Sequence, residues 1–248
     1  MSCLDRRSIL AVAATLIALA AAAPALATTL SLSPNVAGKA SQTSIDISFD
    51  QNADNPSSVV TRVARGFRLD TRALPVKCSR AQADSNKCPS KSRIGGGTAD
   101  LTVTSVFFPP THLTATLDLF LAPPPQAGDL AGVVAHFKEP QSSQEGSIVG
   151  RVRPEASGQY GLDLIFDGFG TSFNPPQGVK VHVDRFQASF GGQHRTVRKR
   201  VKRHGKTRVR KVRYDLIKNP ATCPGSWPYE VVVDQRPAMT GSVACSGG

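Results

Sequence analysis

The residues with the clearest chemical character form one run, RTVRKRVKRHGKTRVRKVR, at positions 195–213. It holds Arg195, Arg198, Lys199, Arg200, Lys202, Arg203, Lys206, Arg208, Arg210, Lys211 and Arg213, and no acid. Guanidinium forks match the geometry of phosphates and carboxylates, and a dense row of cations attracts any polyanion by releasing its counterions. The whole chain carries 30 Lys and Arg against 18 Asp and Glu, a formal +12. Setting aside Asp5, Arg6 and Arg7 leaves +11, and the run itself holds eleven cations, so the remainder is neutral. The excess is one patch, not a generally basic surface.

Other groups of reactive residues fall short of a catalytic or metal pattern. His112, His136, His182, His194 and His204 have neither metal-ligand spacing nor a paired nucleophile. Asp50, Asn52 and Asp54 alternate as oxygen ligands do in a calcium loop, but Asn55 stands where the turn glycine belongs and Thr61 at the twelfth position, so a polar turn is expected. Gly146-Ser147-Ile148-Val149-Gly150 departs from a nucleophile elbow, because its serine directly follows the first glycine. Trp227 with Tyr229, after Cys223, offers either a sugar-stacking face or local core. No catalytic residue, cofactor or metal site is assigned.

The elements that must position the basic run are strands. Thr28, Leu30 and Leu32 open an alternating segment at 28–33, and Ile45, Ile47 and Phe49 share one face of 44–50. Comparable segments follow at 59–68, 99–104, 113–121, 132–138, 147–153, 161–166, 179–190 and 229–234, the last read as the final strand. Gly, Pro, Ser or Asn separate them, and only 79–86 has room for a helical turn. Gly95-Gly96-Gly97 reads as the end of a loop. Within 179–190, Val179, Val181 and Val183 fall in one phase and Phe186, Ala188 and Phe190 in the other, which predicts a bulge near Asp184. The run itself reads as a hairpin about His204-Gly205, pairing Val201 with Arg208, Lys199 with Arg210 and Val197 with Val212. Cation faces cation at Arg198 and Lys211, at a cost of about 0.2–1 kcal/mol for such a pair. A free ribbon of two strands is marginal, so mobility is expected unless the ribbon extends a sheet or meets an anion. The fold class expected is an all-β, antiparallel β-sandwich, immunoglobulin-like or jelly-roll-like, with a projecting basic hairpin.

The first 27 residues read as a signal peptide: Arg6 and Arg7, an apolar run from 9 to 22, and Ala25-Leu26-Ala27 as a cleavage site. Residues 28–248 then form a single domain. Cys3 leaves with the leader, and Cys78, Cys88, Cys223 and Cys245 remain, an even number suited to an oxidising compartment. The local pairs Cys78 with Cys88 and Cys223 with Cys245 are favoured, since each closes a short segment carrying turn residues.

The segment RGFRLDTRALPVKCSRAQADSNKCPSKSRIGGGTA at 65–99, with DRFQASFGG at 184–192 and NPATCPGSWPYEVVV followed by Cys245, resembles a family of secreted actinobacterial proteins of uncharacterised function. The resemblance implies export, disulfides and an all-β fold, and it carries over no site residue. Together these features lead to an expectation of a secreted, non-catalytic cell-envelope or extracellular protein whose hairpin contacts an anionic cell-wall polymer or an anionic membrane surface. Sequence-specific nucleic-acid binding is not expected, because no stacking aromatics interleave with the cations. The alternatives are a secreted hydrolase or carbohydrate-binding module, a solvated loop, or a processing site for a trypsin-like protease.

Overall fold

The computed structural model describes residues 27–247 apart from 52, 141–143, 156–157, 170–176 and 204–205. The expected leader, except for Ala27, lies outside the described residues. Fifteen strands account for most of the described chain: β1 (Thr28–Ser33), β2 (Gln42–Ser48), β3 (Ser58–Ala64), β4 (Arg68–Leu69), β5 (Arg93–Ser105), β6 (Thr111–Ala122), β7 (Ala131–Lys138), β8 (Glu145–Pro154), β9 (Tyr160–Asp167), β10 (Val179–Gly191), β11 (His194–Arg203), β12 (Lys206–Asp215), β13 (Ile217–Lys218), β14 (Ser226–Val233) and β15 (Met239–Ala244). Among the described residues one short α-helix, α1 (Arg80–Asp84), and two 3-10 turns, Thr71–Ala73 and Ser90–Ser92, interrupt them. Ser79 accepts from the backbone N–H of Gln82, and the Gln82 side chain accepts from the Ser79 N–H, a reciprocal cap on so short a helix.

Eleven strands form one continuous antiparallel sheet in the order β1-β2-β10-β5-β6-β7-β8-β9-β3-β14-β15. The two layers of the expected all-β fold are therefore opposite walls of a single sheet that curls until its edges meet. An odd number of alternating strands brings the first and last together in parallel. The meeting is marked by Tyr229 Oη donating to Thr28 O, by Asn35 Nδ2 donating to Ala244 O, and by a parallel bridge between Val36 and Ser246. Among the described residues no backbone ladder joins β1 to β15, so the two edges adjoin through these contacts.

Alternation along each strand decides which face turns inward. Thr43, Ile45 and Ile47 of β2 and Tyr229, Val231 and Val233 of β14 are buried in the interior, while Asp46 and Glu230 face outward. The outer wall is polar where Asp100 accepts from Thr114 and Asp46 is paired with Arg185. This arrangement is the reverse of a membrane-spanning barrel, whose apolar band faces out. Among the described residues no helix is long and apolar enough to cross a membrane.

Three local features explain how the wall closes. The register of β10 against β5 shifts between Val183 and Arg185, so Val183 and then Phe186 and Ala188 all turn inward, as the change of phase predicts. Gly95, Gly96 and Gly97 do not end a loop but lie inside β5. A Cβ on Gly97 would stand 1.9 Å from Gln187 O, and one on Gly95 would stand 2.0 Å from Ser189 O, so β10 approaches where no side chain fits. β15 follows the strand expected to be the last, and Gly241 leaves room there for the Tyr229 ring.

Both disulfides form as the local pairs, Cys78–Cys88 and Cys223–Cys245. The first pins α1 onto the outside of the wall, where Cys78 and Ala83 cover Phe120, Ala122 and Val134. The second ties the approach to β14 to the end of β15, beside the seam. Such bonds belong to an oxidising environment.

Candidate functional site: the basic hairpin

β11 and β12 form a two-stranded sheet of their own and do not extend the wall. Their register pairs Val197 with Val212, Lys199 with Arg210 and Val201 with Arg208, and sets Arg198 opposite Lys211. Each strand has ten residues, so the ribbon is about 33 Å long at the usual rise of a strand. The turn residues His204 and Gly205 lie outside the described residues. For Arg203 and Lys206 the described feature is their backbone pairing.

The base of the ribbon is anchored. Tyr214 is buried, Val197 and Val212 pack against the main core, and Leu216 N–H donates to Gln193 O. The Arg72 guanidinium lies 4.3 Å from the centre of the Tyr214 ring, and Lys199 Nζ lies 5.3 Å from it. The phenol thus takes a cation on its face, an arrangement that suits a residue with one apolar side and one wet side. Arg72 is itself held by both carboxylate oxygens of Asp70.

Beyond the base the ribbon is solvated. Val201 and Val209 are exposed, and so are most of the cations. Alternation sends Lys199, Arg208 and Arg210 to one face and Arg198, Arg200, Lys202 and Lys211 to the other, with about 7 Å between successive cations on a strand. Among the described residues, Arg213 is the member of the run with an acidic partner, Asp215, at 2.6 Å. The nine cations of the run whose side chains are described are therefore brought together along one ribbon, exposed and, apart from Arg213, without an acidic partner among the described residues. Such a surface can hold a flexible polyanion electrostatically.

The remaining candidates take structural roles. Trp227 is buried beside Phe67 and donates through Nε1 to Thr222 O, so it belongs to the core and offers no sugar-stacking face. Asn55 donates to Val181 O and accepts from Val183 N–H, which uses its side chain to dock the 50–55 turn on β10. Among the described residues no cluster of His, Cys, Asp or Glu could hold a metal. Ser147 donates to Asn86.

The nearest approach to a catalytic arrangement is one that the sequence spacing does not reveal. Thr102 donates to Asp184 at 2.6 Å and lies 2.9 Å from His112 Nδ1, with His182 also on Asp184 at 3.1 Å. The hydroxyl proton is already committed to a carboxylate, so the imidazole serves as donor to Thr102 and not as its base. This group sits on the outer wall rather than in a cleft. In comparisons with known proteins, no family model, no curated protein and no solved structure matches the chain.

Proposed function

We propose that the chain is a non-catalytic protein of the cell envelope or extracellular space, exported through cleavage near Ala27, that binds anionic polymers with its basic hairpin. The observation that carries this reading is the ribbon itself: anchored at the base, with cations on both faces that, Arg213 apart, have no acidic partner among the described residues. Export supports a cell-wall polymer or an anionic membrane surface as partner, in preference to intracellular nucleic acid. The two disulfides and the resemblance of 65–99 to secreted proteins agree with that setting.

Binding of labelled heparin and of polyphosphate tests the proposal. If about six anionic groups are engaged, affinity falls roughly a thousandfold between 50 and 200 mM salt. Deleting 195–213 abolishes binding. A second variant, Arg198→Gln with Arg200→Gln and Lys211→Gln, keeps the ribbon and weakens binding at least tenfold, with a shallower salt dependence. Binding that ignores salt, or that survives both variants, overturns the proposal.

A further inference from the structure

The wall is apolar on its inner side, and the side chains projecting from it leave a cavity of about 100 Å³. Leu30 on β1, Ile45 on β2, Leu119 on β6 and Leu164 on β9 contribute to a lining that runs round the barrel. Thr43, Thr61, Asp163 and Arg68 are the polar members of a lining that is otherwise apolar, so most of the space is suited to hydrocarbon. One end is closed by aromatic rings: Phe169 packs against Phe49 at 5.8 Å and Phe186 at 5.6 Å.

The opposite end has a different chemistry. Arg68 lines the cavity and is exposed to solvent, so it stands where the cavity meets water. β4 and β13 pair over two residues, Ile217 with Leu69 and Lys218 with Arg68, which sets two exposed cations side by side. Among the described residues neither has an acid within ion-pair distance. Leu216 and Ile217, both lining the cavity, follow β12 directly, so the root of the basic ribbon adjoins this end.

We infer that the barrel interior binds a single-chain anionic amphiphile, with its hydrocarbon tail in the cavity and its carboxylate or phosphate head at Arg68 and Lys218. The cavity is smaller than the ~150 Å³ that accommodates benzene in a protein interior. It therefore takes a few terminal methylenes, and the rest of a longer chain lies toward the mouth. The inference is independent of polymer binding by the hairpin.

Trp227 provides the readout, since it is the chain's one tryptophan and its ring is 5.6 Å from that of Phe67, a lining residue. Purified protein is titrated with dodecanoate, dodecyl phosphate and dodecanol below micelle-forming concentrations. Saturable changes in emission are expected, with dodecanol about fivefold weaker than the anions, as for an exposed ion pair. Combining Arg68→Gln with Lys218→Gln removes that difference. Leu119→Ala enlarges the cavity and tightens binding about fourfold for each further methylene buried. Ala188→Leu fills the cavity and weakens binding at least tenfold. Thermal unfolding checks that each variant folds, and Leu119→Ala decides the matter if Ala188→Leu does not. The ranking of the two anions identifies the head group, and either order supports the inference. It is overturned by no saturable change with any probe, by equal affinity for dodecanoate and dodecanol, or by binding lost in the hairpin triple variant but kept in Ala188→Leu.

Discussion

Asp163 shows how one side chain organises charge on the outer wall. It faces Arg153 on β8 and Arg62 on β3, and Arg62 in turn faces Glu230 on β14, so four strands carry a row of alternating sign. The Asp163 side chain is fully buried beneath its partners. Burial raises its pKa, because the hydrogen bonds from Arg153 and the pull of Arg62 only partly offset lost solvation. Asp46 and Asp70 shift the other way, lowered chiefly by hydrogen bonds from Arg185 and Arg72 respectively. At Asp234 burial pushes upward, yet hydrogen bonds from Ser57 and Ser58 hold the pKa low. The signs set the acid stability. Lowered carboxylates contribute stability above about pH 4, and it is lost as pH falls through their folded pKa values. Asp163 acts in the opposite sense, since the folded state takes its proton more readily than the unfolded chain. Thermal unfolding between pH 6 and pH 2.5 should therefore fall more steeply on acidification in Asp163→Asn than in the wild type; a shallower fall contradicts the assignment.

At the scale of elements, the close approach of β5 and β10 makes Gly97 irreplaceable. Gly97→Ala places a methyl against backbone atoms that cannot rotate away, and a loss of about 3 kcal/mol in urea unfolding is expected, near the upper end for overpacking. Three adjacent glycines normally punctuate a chain, and only the long-range arrival of β10 turns these into strand. Their role was consequently invisible in the sequence, as was β15, whose alternation is interrupted by the glycine that receives Tyr229. By contrast the bulge at Asp184 and the register of the basic hairpin were legible, because both follow from local phase and turn position. The hairpin's candidacy as a site was legible too, since charge is a property of composition. Arg68 at the cavity mouth was not, because its place depends on a two-residue pairing with a segment roughly 150 positions away.

The molecule as a whole depends on a seam between β1 and β15. Cys223–Cys245 clamps it from one side, and closing a 22-residue separation contributes about 3 kcal/mol by chain entropy alone. A chain ending at 238 lacks β15 and Cys245, and leaves the inner apolar face open. It should bind a hydrophobic dye strongly and unfold without a sharp transition; a cooperative melt at the wild-type temperature would show that the seam is dispensable. The strand order adds a temporal constraint. β2 lies between β1 and β10, and β3 between β9 and β14, so neighbours in the wall are often more than a hundred residues apart in the chain. On the proposed route of export, a polypeptide delivered across a membrane from its N-terminus presents β1 and β2 first, yet their remaining partners emerge late. Until residues 239–244 arrive, the wall stays an incomplete sheet with its oily side uncovered, and the compartment that receives the chain has to tolerate that interval.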